Sequence, residues 1–288
     1  MGRIVVVTDS TAGLPADLIE ELEIPIIPLN VHWGDETYKD GVTLDKTTFY
    51  RWLQERADFP QTSQPSAGEF IEFFNEVAER FETDTILGIF ISSDLSGTWA
   101  SAALAKQEMP DLNIELFDSQ SVSMGAGFMV MKAARMAREG ASMEAILNRL
   151  NAMRQNTHIF FAVDTLEYLH RGGRIGGAAK FLGTALNLKP LLMIQNGRVE
   201  SLEKVRRRRK SLQRIVEVAS EQLKNTPPEE LAILHTQTDQ DLDFITELVS
   251  DHLKPKQLYM NILTPVVGTH GGPGTLGIVF YLNSNGAS

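Results

Sequence analysis

The stretch Ile91-Ser92-Ser93-Asp94-Leu95-Ser96-Gly97-Thr98 follows a strand-like apolar run, Thr85–Phe90, and precedes a small-residue, helix-forming segment, Trp99–Met109. A hydroxyl-rich turn between a buried strand and a helix start gathers Ser and Thr oxygens and free backbone N–H groups in one concavity. That geometry suits an anionic oxygen ligand. In an open α/β sheet, ligands lie at the carboxyl ends of strands. The turn therefore reads as the grip for an acid head group, and the rest of the chain as the place for what is attached to it.

Outward from this turn, strands and helices alternate. On the N-terminal side, Arg3–Val7 reads as a strand ending in Thr8-Asp9-Ser10-Thr11, and Pro15 opens a helix to Leu22. Ile24–Val31 contains Pro25 and Pro28, which fits an edge or irregular strand. Thr47–Ala57 reads as a helix and Gln61–Ser66 as a polar turn. Ser66-Ala67-Gly68-Glu69 has the spacing of a capping box, continued at helical period by Phe70, Phe73, Phe74, Val77 and Phe81. On the C-terminal side come a strand at Asn113–Phe117, ending in Asp118-Ser119, and helices Val122–Glu139 and Ser142–Arg154. Polar turns after strands mark a layered, parallel α/β domain. Its expected limits are residues 1–156.

Residues 157–288 read as a second, mixed α/β domain. Strands are expected at His158–Val163, Pro190–Ile194, Val199–Val205, Leu231–His235, Gln257–Val267 and Leu276–Leu282. Helices are expected from Asp164-Thr165-Leu166-Glu167 to His170, and over Ala178–Leu188, Arg206–Leu223 and Asp239–Leu253. Gln195-Asn196-Gly197-Arg198 has the form of a hairpin turn. Arg171–Gly177 and Gly268–Gly274 are glycine-rich loops, and the first matches neither a dinucleotide fingerprint nor a P-loop.

The chain has 288 residues, a net charge of −10, 43% hydrophobic residues and no cysteine. The acidic balance argues against a general nucleic-acid binder, because phosphate binding needs a basic face. Without cysteine there are no disulfides, no thiol catalysis and no cysteine-ligated metal site. With no recognisable signal peptide, this fits a reducing cytoplasm. No apolar run approaches the ~20 residues needed to span a bilayer.

Each candidate site has a plain alternative. For Thr62-Ser63-Gln64-Pro65 it is a pre-helix turn, and for Ser93, Ser96 and Thr98 it is helix capping. Three hydroxyls in six residues exceed what one cap needs. His270, between Thr269 and a Gly-Pro run, stands where a core histidine would be unusual, and it can donate to a carboxylate. The other histidines show no metal-ligand spacing. Arg206-Arg207-Arg208-Arg209-Lys210 is either a solvated helix face or, its sign opposing that of the whole chain, a docking surface. Gly-x-Ser-x-Gly is absent, and Asp9, Asp118 and Asp164 at element ends read as caps before they read as metal ligands.

Eight segments occur in order: Val-Thr-Asp-Ser-Thr (7–11), Thr-Ser-Gln-Pro (62–65), Leu-Ser-Gly-Thr (95–98), Phe-Asp-Ser (117–119), Arg-Gly-Gly-Arg-Ile (171–175), Leu-Asn-Leu-Lys-Pro-Leu-Leu (186–192), Glu-Lys-Val-Arg (203–206) and His-Gly-Gly-Pro-Gly (270–274). Over essentially its whole length the chain resembles the DegV family, the fatty-acid-binding FakB proteins. The resemblance implies a two-domain α/β protein that encloses one long-chain fatty acid in a tunnel between its domains. It also implies the acyl-carrying role in bacterial fatty acid kinase, where a separate ATP-dependent kinase subunit phosphorylates the bound carboxyl group for phospholipid synthesis. By motif position, Thr62, Ser96 and His270 are the expected carboxylate partners, assisted by Ser93 and Thr98. Arg206 and Arg207 are expected to meet the kinase subunit, with Arg171 and Arg174 bordering that surface. No catalytic residue, metal or cofactor is implied, and a cytoplasmic monomer with at most transient membrane contact is expected. Asp94 departs from expectation, being an acid inside the loop meant to receive a carboxylate. Two other readings compete: an enzyme acting on a small phosphate- or carboxylate-bearing metabolite through Asp9 and Asp118, and a regulatory protein docking through its basic helix.

Overall fold

The computed structural model describes residues 3–183, 189–236 and 239–282, the side chains of residues 239 and 240 excepted. In chain order the first half holds β1 (Ile4–Asp9), α1 (Ala16–Leu22), β2 (Ile26–Ile27), β3 (Asn30–Trp33), β4 (Glu36–Lys39), α2 (Lys46–Glu55), β5 (Gln61–Ser63), α3 (Ala67–Phe81), β6 (Thr85–Phe90), α4 (Thr98–Gln107), β7 (Asn113–Asp118), α5 (Met124–Arg138) and α6 (Met143–Asn156). The second half holds β8 (Thr157–Ala162), α7 (Glu167–Arg171), a 3-10 turn over Gly176–Phe181, β9 (Lys189–Gln195), β10 (Arg198–Val205), α8 (Arg208–Leu223), β11 (Glu230–His235), α9 (Asp239–His252), β12 (Gln257–Ile262), α10 (Pro265–Gly271) and β13 (Leu276–Tyr281).

Two large sheets result. The first is parallel, in the order β2-β1-β6-β7, and the second is mixed, in the order β10-β9-β8-β13-β11-β12. Both are covered on both faces, and their strands alternate accordingly. Val5, Val7, Ile86, Phe90 and Ile114 meet Phe70, Phe74 and Val77 of α3 and Ala102 and Ala105 of α4. Val6, Leu87, Ile89 and Phe117 face the other way, into a core shared with Phe128 and Met131 of α5 and Ile146 and Leu150 of α6. In the second sheet Phe160, Ala162, Leu191, Ile233 and Ile278 pack under α8 and α9. Ile159, Phe161, Leu192, Leu234 and Val279 project into the core that already holds Val6 and Leu87. The layers run helix, sheet, helix, sheet, helix.

The middle layer is built around α5. All of Met124 to Met131 are buried, as expected of a helix with apolar surface on every side. Its glycines let it lie close to the second sheet and to the turn that follows β1: a Cβ on Gly125 would come 2.7 Å from Ile159 Cδ1, and one on Gly127 would come 3.0 Å from the Ala12 carbonyl oxygen.

Several sequence expectations need correction. Gln61–Ser63 is not a turn but β5, which pairs with β3 in a small sheet of order β4-β3-β5. Gln257–Val267 is not one strand. It ends at Ile262, and Pro265 starts α10, a first-turn position where its missing N–H costs nothing. His270 therefore lies in the last turn of a helix rather than in a loop. Helix α8 begins at Arg208, because Arg207 is extended (φ −121°, ψ 134°) and Arg206 precedes it. Of the helix expected at Ala178–Leu188, Ala178–Phe181 is 3-10, and residues 184–188 lie outside the described residues. The capping box is present as expected, Ser66 and Glu69 bonding reciprocally.

Candidate functional site

In the parallel sheet the chain leaves β1 toward β2 on one side and returns as β6 on the other. That places a crevice at the carboxyl ends of β1 and β6, the usual ligand position in such sheets. Asp9 closes its floor. The carboxylate accepts from the Thr11 N–H (2.9 Å), the Thr11 hydroxyl and the Ile91 N–H (2.8 Å), so both oxygens serve the backbone. Burial raises its pKa against those hydrogen bonds. Asp118 is similarly engaged, accepting from Ser93 and from the Gln120 N–H. The two carboxylates of the enzyme reading thus hold turns together.

Above this floor the loop 91–98 curls into a helix start. The Ser96 N–H donates to the Ser92 carbonyl (3.0 Å), and the Ser96 and Thr98 hydroxyls lie 2.8 Å apart. Ser96 lines a cavity, while Thr98, its hydroxyl beside that of Ser96, is fully buried. Ser93 does not join them. It is exposed, and its hydroxyl donates to Asp118 at 2.6 Å. Asp94 also turns outward, to an ion pair with Arg198 (2.6 Å) on the hairpin between β9 and β10. Beside it the Ser92 hydroxyl donates to the Gly197 carbonyl (2.8 Å) of the same hairpin. The acid that seemed misplaced beside a head group fastens the loop to the second sheet.

Thr62 and His270 meet from opposite halves of the chain. Strand β5 is held by β3, with Thr62 opposite Val31, and α10 ends at His270. Thr62 Oγ1 and His270 Nε2 are 2.8 Å apart. Burial, with Arg174 nearby, pulls the imidazole pKa down to about 4, so the ring is neutral at neutral pH. His270 Nδ1 is buried with no hydrogen-bond partner among the described residues, lying against Gly172. With its proton on Nε2 the ring donates to Thr62, which frees the Thr62 hydroxyl hydrogen for a ligand.

Sequence reasoning assigned Arg174 to a docking rim, but it lines the cavity. Its Nε donates to the Leu95 carbonyl (3.0 Å) and its Nη1 to the Gly172 carbonyl (2.7 Å), which fixes the guanidinium beside the polar end. A cation in a glycine-rich turn gave no sequence signal for this. Arg171 is elsewhere, exposed, paired with Glu167 (2.6 Å) and stacked 4.0 Å from the Phe59 ring. Arg206 and Arg207 are exposed and do not line the cavity. Arg208 is paired with Asp241 (2.7 Å), and Arg214 with Glu203, Glu217 and Glu221.

Ser63, Gln64, Ser123 and Thr275 add neutral polar groups to Thr62, Ser96, Arg174 and His270, and the rest of the cavity wall is largely apolar. Ile159, Phe161, Ile194, Val199 and Leu234 come from the second sheet, Ile91, Leu95 and Val122 from the first half, and Val266 and Val267 from α10. A slot with a polar end and a long aliphatic wall suits a ligand of the same polarity profile. No cluster of three or more metal-binding side chains occurs among the described residues, and no helix among them is long and apolar enough to cross a membrane.

The model of the DegV family of uncharacterised proteins matches residues 3–283. Protein DegV of Bacillus subtilis is 36% identical over 277 residues, covering 96% of this chain and 98% of that protein. Among solved structures, a DegV family protein of Thermus thermophilus, described as fatty acid binding, superposes with a TM-score of 0.89 at 37% identity, covering 97% of this chain and 100% of that one. A stearic acid-binding protein of Eubacterium ventriosum gives a TM-score of 0.86 at 26% identity, with 98% of each chain covered.

Proposed function

The chain belongs to the DegV family, and on that premise we propose that it binds one long-chain fatty acid between its two sheets. The carboxylate lies at Thr62, Ser96, His270 and Arg174, and the acyl chain lies along the aliphatic wall. The observation that carries this reading is the cavity itself: one hydroxyl-rich end and, among the described residues, no acidic side chain along its lining. The fatty acids held by the Thermus and Eubacterium relatives support it.

The two ends of the cavity have separate physical tasks. Each buried methylene contributes ~0.8 kcal/mol, so a ~14-carbon tail supplies on the order of 10 kcal/mol before binding costs. Affinity comes from the tunnel. The polar end compensates desolvation of the carboxylate, which is costly when unpaired. Thr62 and Ser96 donate from neutral hydroxyls, the neutral His270 holds Thr62 in orientation, and Arg174 supplies the one positive charge. The Arg174 charge is tied back by the Leu95 and Gly172 carbonyls. A head group held this way keeps an oxygen free of a tight ion pair.

We further read the protein as the acyl-carrying subunit that presents this carboxyl group to a separate ATP-dependent kinase subunit, catalysis residing in the partner. The exposed Arg206 and Arg207 supply the docking charge. Two domains, 1–156 and 157–288, divided where α6 passes into β8, fit a ligand enclosed between them.

Native mass spectrometry of freshly purified protein tests the central claim. A co-purifying mass equal to a long-chain fatty acid is expected. Thr62→Ala combined with Ser96→Ala should weaken its retention by about ten-fold or more, because hydrogen bonds to a charged group are each worth ~1.5–3 kcal/mol. Undiminished retention in that variant would remove both hydroxyls from the head-group site.

A further inference from the structure

Two residues of the aliphatic wall are shared with a second hollow. Ile159 of β8 and Ile194 of β9 are opposite one another in the ladder, and both line the acyl cavity. The same two residues also line a separate groove with Gln120, Arg154, His158, Met193 and Gln195. These two isoleucines thus stand as a partition between the largely apolar cavity and a groove of mixed polarity.

The polar end of the cavity includes Thr275, next to the start of β13. Ile159 stands opposite Val279, three ladder positions beyond Leu276. At ~3.4 Å per residue, this places the partition roughly 10 Å farther along the sheet. A chain laid along β8 and β13 runs toward it. Beyond the partition, Arg154 donates to two neutral oxygens, the Asp118 carbonyl (3.1 Å) and Asn151 Oδ1 (2.8 Å), and lies 4.9 Å from the Phe117 ring centroid. Neither contact neutralises its charge. The amides of Gln120 and Gln195 offer both donors and acceptors.

We propose that this groove is a second subsite, taking the distal end of a fatty acid that carries a hydroxyl on its terminal carbon. The inference rests on the fatty-acid reading above. The acyl chain passes between Ile159 and Ile194, whose side chains turn aside. The terminal oxygen then reaches Arg154 and the glutamine amides, hydrogen-bonding partners that a terminal methyl group cannot use.

Competition between ω-hydroxyhexadecanoic acid and hexadecanoic acid for the whole protein, read by native mass spectrometry, tests the subsite. The hydroxy acid is expected to bind within about three-fold of the plain acid, whereas a hydroxyl buried without a partner would cost it about ten-fold or more. Gln195→Ala combined with Arg154→Met should lower occupancy by the hydroxy acid about five-fold or more relative to the plain acid. A hydroxy acid bound ten-fold or more weakly by the unsubstituted protein would overturn the subsite, whatever the variant does, as would an unchanged ratio in a folded variant. Uptake of the plain acid alone would refute only the subsite; uptake of neither would refute the fatty-acid reading itself.

Discussion

His270 keeps its position because Gly172 has no side chain. A Cβ there would lie 2.1 Å from Nδ1, so any larger residue must displace the ring. Gly172 itself has helical torsions (φ −75°, ψ −4°) that alanine adopts freely, and the substitution therefore isolates the steric contact from backbone strain. Gly172→Ala should move the imidazole off Thr62 and weaken fatty acid binding by about ten-fold, read by displacement of a fluorescent fatty acid. Affinity equal to the parent would mean that the ring's placement does not matter to the ligand. At this scale the motif positions named Thr62, Ser96 and His270 together, and the fold brings all three to the lining of one cavity. Ser93 was indistinguishable from Ser96 by type, because only the fold decides which of two nearby serines faces Asp118 and which faces the cavity. Arg174, expected at the docking rim, lines the cavity, which its place in a glycine-rich turn did not signal.

At the level of elements, α10 couples the head-group site to a buried acid. The Asp40 carboxylate accepts from the Ser10 hydroxyl (2.7 Å), and the Thr264 hydroxyl and Val266 N–H at the start of α10 favour its charged form. Burial outweighs them and raises its pKa from 3.8 to about 6, with Asp9 adding to the rise. The nearby Lys46 and Tyr50 respond to it in turn. A folded-state pKa above the unfolded one means the native state holds this proton more tightly, so Asp40 favours folding at low pH and loses that contribution as pH rises through about 6. His270 works oppositely, since its pKa falls from 6.5 to about 4 on folding and its contribution is lost as pH falls through that window. In Asp40→Asn, stability should therefore rise more steeply with pH between about 4 and 6 than in the parent, as measured by urea midpoints across that range. Identical slopes would show that Asp40 does not titrate there. The two elements that build this end of the molecule, β5 and α10, were also the two least legible. Strand β5 is three residues long and exists only because β3, thirty residues earlier, offers an edge. Helix α10 contains Gly268 and Gly271 and is held by packing, a Cβ on Gly268 falling 2.5 Å from the Tyr50 hydroxyl. Both owe their form to tertiary neighbours that local propensity does not encode.

Across the whole molecule, charge and packing divide the labour. The chain carries a net charge of −10, yet Arg206 and Arg207 stand exposed just before α8. Arg206→Glu should slow phosphorylation of the bound acid by a kinase subunit by about ten-fold or more, most strongly at low salt, because exposed charges steer association. Retention of the fatty acid should be unaffected, and its loss would move Arg206 from the docking surface into the lipid site. The layered α/β plan was legible from the alternation of strands and polar turns. That the two sheets share one core was not, since periodicity shows that a helix is buried but not what it is buried between. Helix α5 is that shared wall, packed by the first sheet on one side and by Ile159 and its neighbours on the other. The consequence is for modularity. Two sheets would ordinarily suggest parts that recombine, but a fragment ending after α6 would expose the apolar flank of α5 and one beginning at β8 would lack the helix its strands rest on. The two halves share one core, so neither is expected to fold once cut from the other.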